Sequence, residues 1–80
     1  MQISAQVSLY PLRQEKLSPS IEGAWKIMQE FPLSLTKGEM STVVSGEAEK
    51  VFSAIQKAFL SSAEKGPTSM VVIFSNACPI

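Results

Sequence analysis

The sequence predicts an α+β sandwich: a four-stranded antiparallel sheet with two helices on one face. Three observations predict it. The first ten residues alternate apolar and polar side chains, the mark of a half-buried strand. Two later stretches, around Trp25 and around Ile55, repeat apolar residues at helical spacing. Apolar, strand-like runs flank those stretches, so that the order along the chain is β-α-β-β-α-β.

Each element has its own signal. In "QISAQVSLY", Ile3, Ala5, Val7 and Leu9 point one way, and Gln2, Ser4, Gln6, Ser8 and Tyr10 the other. Pro11 is expected to end this strand, because proline cannot donate to a ladder. "LSPSIEGAWKIMQEF" reads as a helix, with Ser18 as its cap and Pro19 at its first position. Ile21, Ala24, Trp25 and Met28 form its apolar face, Gly23 suits close packing on the sheet, and Pro32 stops it. "LSLTKGE" and "MSTVVS" read as two strands joined at Gly38, a hairpin. A second helix is expected from Ser45 or Gly46, with Glu47 and Glu49 at the positive end of its dipole. Val51, Phe52, Ile55, Ala58 and Phe59 form its apolar face, and Lys65-Gly66-Pro67 closes it. The last strand, "TSMVVIFS", is apolar on both faces from Met70 to Phe74. This is the ferredoxin-like arrangement. Right-handed crossovers place both helices on one side of the sheet. The two-sided last strand then predicts that a second subunit covers the open side.

Eighty residues suffice for one domain, residues 1–80, with a thin core. The chain is 45% hydrophobic, too rich in apolar residues for disorder. Seven basic and seven acidic residues cancel, with no basic run, so nucleic acid is not an expected partner. The chain has no His and a single Cys, Cys78. An internal disulfide, a His-based triad and a Cys/His zinc site are excluded, and an enzyme is not expected. No apolar run approaches the roughly 18 residues of a membrane span, and the N-terminus lacks the features of a signal peptide. The expected location is the cytoplasm, with no membrane partner.

The candidate chemistry is sparse. In the third strand Met40, Thr42 and Val44 share one side, and Ser41, Val43 and Ser45 the other. The first set suits the helix-facing core. Thr42 is then either an ordinary strand threonine bonded to backbone or a hydroxyl aimed into a pocket. Trp25 is core or a flat wall for a ring, and Tyr10 suits a subunit interface or a stacking role. Cys78 reads as an end-of-strand filler, since nothing nearby lowers its pKa. Arg13, Glu15, Lys16, Glu22, Lys26 and Glu30 read as solvated charge.

Three segments together carry a resemblance: "SLYPL", "MSTVVSGEAEKVFSAI" and "VIFSNACP". In this order, along the whole chain, they resemble the YkoF-type family of thiamine- and hydroxymethylpyrimidine-binding proteins, with its MTH1187-like single-domain relatives. The resemblance implies a ferredoxin-like fold and non-catalytic binding of thiamine or its hydroxymethylpyrimidine moiety, in salvage or transport of thiamine precursors. It implies no cofactor. Because this chain has one repeat where the family also has two, it implies a homodimer or homotetramer. Matching the motifs, it assigns ligand roles to Ser41, Thr42, Ser8, Tyr10 and Ser75, with Trp25 and Met28 as walls. Glu39 or Glu22 would face a thiazolium cation. The rival expectation is a structural or regulatory homo-oligomeric module without a small ligand.

Overall fold

The fold follows from pairing two kinds of amphipathic element, as a computed structural model shows. The structure describes residues 1–12, 18–38 and 41–77. Strand β1 (Gln2–Pro11) is followed by helix α1 (Ser18–Gln29), strands β2 (Ser34–Lys37) and β3 (Thr42–Glu47), helix α2 (Ala48–Lys65) and strand β4 (Thr68–Ser75). The strands form one antiparallel sheet in the order β2-β3-β1-β4, with β2 and β4 at its edges. This is the expected ferredoxin-like topology. The readings for Arg13, Glu15, Lys16, Glu39, Met40 and Cys78 lie outside the described residues, as do those for the side chains of Ser18 and Pro19.

Register explains which side chains meet. Ala5 pairs with Val44 and with Phe74, and Val7 pairs with Thr42 and with Val72. Leu35 stands opposite Val44, and Lys37 opposite Thr42. Because alternate residues share a face, this set lies on the helix side. There Ile3, Ala5, Val7 and Val44 pack with Ala24 and Met28 of α1 and with Val51, Ala54, Ile55 and Ala58 of α2. Burying this apolar surface supplies the main driving force. Ser62 is buried in α2, where its hydroxyl meets Thr68 Oγ1 at 3.2 Å.

Four details differ from the sequence reading. First, β3 runs on through Ser45 and Gly46 to Glu47, and α2 starts only at Ala48. The reason is β1, which keeps pairing as far as Gln2↔Glu47; a ladder outcompetes an early helix turn. Gly46 is suited to this place, because a Cβ there would come within 2.5 Å of Leu33 Cδ2. Second, Pro11 belongs to β1, opposite Thr68. Pairing with β3 has ended by then at Val7↔Thr42, so the missing N–H breaks no bond on that side. Third, Phe52 is 52% exposed, and Ala54 and Ser62 complete the buried stripe of α2 instead. Phe52 flanks the sheet edge, its ring centroid 4.5 Å from that of Phe74. Fourth, Gly23 faces the end of α2 rather than the sheet, since a Cβ there would meet Lys65 Nζ at 2.9 Å.

The other face of the sheet carries no helix among the described residues. Val71 and Ile73 are each 55% exposed there. Around them the face is polar, with Ser4 and Ser45 sharing a hydrogen bond of 2.9 Å. Gly66 ends α2 at φ 151° and ψ 180°, a region open essentially to glycine alone, and its N–H donates to Ala63 O.

Candidate functional site

The helix side of the sheet is not filled to its end. Toward the last residues of β1, where α1 rather than α2 lies over the strands, a cavity of about 470 Å³ opens. Its floor is strand: Val7 and Leu9 of β1, Met70 of β4 and Thr42 of β3. Its roof is the apolar face of α1, with Ile21, Ala24, Trp25 and Met28 at helical spacing. Tyr10, Leu12, Lys37, Gly38 and Ser41 complete the lining.

Local structure sets each of these side chains. Thr42 begins β3 and is paired on both sides, with Val7 and with Lys37. Its neighbours in parity, Val44 and Gly46, face the helices, and so does Thr42. Ser41 precedes the strand, and its carbonyl accepts the Gly38 N–H at 2.7 Å, closing the hairpin. The Ser41 hydroxyl takes the Gln6 amide at 3.3 Å. Gln6 belongs to the open face, so Ser41 borders the cavity while its hydroxyl is engaged on the other side. Trp25 is half-buried, with Lys37 Nζ 5.8 Å from its ring centroid, at the limit of a cation–π contact.

The structure thus brings together Thr42, Ser41, Tyr10, Trp25 and Met28 around one cavity. Ser8 and Ser75 stand apart from it. Ser8 pairs with Val71 on the open side. Ser75 lies at the far end of β4, where it donates to Ala77 O at 2.6 Å and accepts the Ala77 N–H at 3.1 Å. Glu22 is exposed and outside the lining. Sequence reasoning missed Lys37. The signal was available in the alternation Leu33, Leu35, Lys37, which carries the lysine onto the helix side. Ala24 and Ile21 were read as core: Ala24 is core and also lines the roof, whereas Ile21 is exposed at the cavity.

Chemically this is an apolar, ring-walled slot with few polar groups, of the size range of small-molecule sites, roughly 300–1,000 Å³. Among the described residues no group of three or more His, Cys, Asp and Glu could hold a metal. Among them no helix is long and apolar enough to cross a membrane.

Solved structures share this fold. A protein of Methanocaldococcus jannascii superposes with a TM-score of 0.88 at 18% identity, covering 96% of this chain and 81% of its own. A Streptococcus pneumoniae protein gives 0.87 at 17% identity, covering 94% and 86%. A proposed thiamine biosynthesis/salvage protein of Thermotoga maritima gives 0.83 at 13% identity, covering 94% and 83%. At these identities the likeness establishes fold alone. No curated protein matches the chain significantly. The family comparison goes further, matching residues 2–80, nearly the whole chain. The chain belongs to the YKOF-related family.

Proposed function

We propose that this protein binds thiamine or its hydroxymethylpyrimidine moiety without catalysis, in salvage or transport of thiamine precursors in the cytoplasm. The observation that carries the reading is the cavity between α1 and the sheet, walled by Trp25 and Met28 with Thr42 on its floor. An aminopyrimidine is a flat ring with acceptor nitrogens and one amine donor. Trp25 offers a face for stacking. The Thr42 hydroxyl both donates and accepts, so it matches either kind of edge. Family membership and the thiamine-related description of the Thermotoga maritima protein support the same ligand class.

Val71 and Ile73 favour self-association through the open sheet face, as a homodimer or homotetramer. The same pair of residues supports the second reading, an assembly module with no small ligand.

Calorimetric titration with thiamine and with hydroxymethylpyrimidine separates the two. Saturable heat with either compound is the expected result. Folded, oligomeric protein that gives no heat with both, and whose thermal midpoint ignores both, overturns the ligand reading in favour of the assembly module.

A further inference from the structure

The charge of the cavity narrows the ligand further. Among the described residues that line it, the one charged side chain is Lys37, and none is acidic. Thiamine carries a permanent thiazolium cation, and this cavity offers that cation a lysine. We infer that the preferred ligand is an anionic one: a pyrimidine whose side arm ends in a phosphate, with the phosphate paired to Lys37. The inference rests on the pyrimidine-binding reading above and specifies which member of that class is bound.

The geometry supports this assignment. Lys37 is the last residue of β2, on the helix side by its pairing with Thr42. Its stem therefore rises beside the Thr42 hydroxyl, at the edge of the cavity. Its ammonium is exposed and lies over the Trp25 ring, 5.8 Å from the centroid. Neither of the ion pairs formed among the described residues involves it. A contact at that distance is weak, so a ring entering to stack on Trp25 displaces the ammonium at little cost. The ammonium then stays at the edge of the cavity, within reach of a substituent on a ring held between Trp25 and Thr42. Phosphate is the substituent that answers a lysine there with charge-assisted hydrogen bonds. A thiazolium in the same place meets like charge.

The test is a calorimetric comparison of hydroxymethylpyrimidine, its monophosphate ester, thiamine and thiamine monophosphate on the wild-type protein, Lys37→Gln and Lys37→Arg. The readout is the ratio of ester to alcohol affinity within each protein. The ester is expected to bind about 5-fold more tightly than the alcohol at low salt. That ratio should fall as salt is raised, collapse toward one in Lys37→Gln and survive in Lys37→Arg. A wild-type ratio of one, or a ratio unchanged in Lys37→Gln, overturns the inference. The thiamine pair tells a general phosphate preference from one confined to the smaller pyrimidine: thiamine binding more tightly than the pyrimidine ester also overturns it. Benzyl phosphate with benzyl alcohol separates the pyrimidine reading from the anion preference. If neither pyrimidine binds but benzyl phosphate does so through Lys37, the pyrimidine reading fails and the anion preference stands. If no phosphate ester binds, the anion inference fails, and the pyrimidine reading fails with it only when hydroxymethylpyrimidine and thiamine also give no heat.

Discussion

Replacing Thr42 by valine removes one hydroxyl and almost nothing else. The side chain keeps its β-branched shape, which suits a strand. Thr42 is half-buried and held in the ladder on both sides, opposite Val7 and Lys37. The change keeps shape and strand preference, so the free protein should change stability by no more than about 0.5 kcal/mol. The bound state is different. Of the two adjacent hydroxyls, Ser41 is engaged with Gln6 on the opposite face, which leaves Thr42 as the hydroxyl inside. Its loss strands one polar edge of a bound ring in a mostly apolar slot, at a cost of about 1–3 kcal/mol. Affinity for the pyrimidine should fall about 5- to 150-fold. Thr42→Ser, which keeps the hydroxyl, should stay near the wild type. The assay is calorimetry on all three proteins, with denaturant unfolding as the control. Equal affinity of Thr42→Val and wild type refutes the argument and takes Thr42 out of the site.

Other outcomes follow from the same geometry. Ala24→Leu projects a larger side chain from the roof into the cavity and should abolish measurable binding, at a cost of about 1–3 kcal/mol of stability because Ala24 also packs in the core; a ligand bound with undiminished heat places the site elsewhere. Gly46→Ala brings a Cβ within 2.5 Å of Leu33 Cδ2 and should destabilise by about 1–3 kcal/mol in urea unfolding, with Leu33→Ala restoring part of the loss. No coupling between the two would show that the strand end relaxes freely. Val71→Lys with Ile73→Lys should leave the fold intact and shift sedimentation toward the monomer. An unchanged assembly would move the interface off this face.

The sequence by itself determined the order of elements and the faces they bury. Period-two alternation put Ile3, Ala5, Val7 and Val44 in the core, and helical spacing put Ala24, Met28, Val51 and Ile55 against them. Parity within "STVV" also separated Thr42 from Ser41, and the Gln6 hydrogen bond agrees with it. These are properties of neighbouring residues, which local periodicity records. The place where β3 yields to α2 was decided by β1, a partner some forty residues distant in the chain, whose pairing holds Ser45 and Gly46 in the sheet. The cavity was likewise decided in three dimensions. The apolar face of α1 looked like core, and part of it also lines the cavity, toward the last residues of β1. Lys37 meets Trp25 only because a hairpin and a helix converge there. Local pattern shows which way a side chain points. Only the packing of the elements shows what, if anything, it points at.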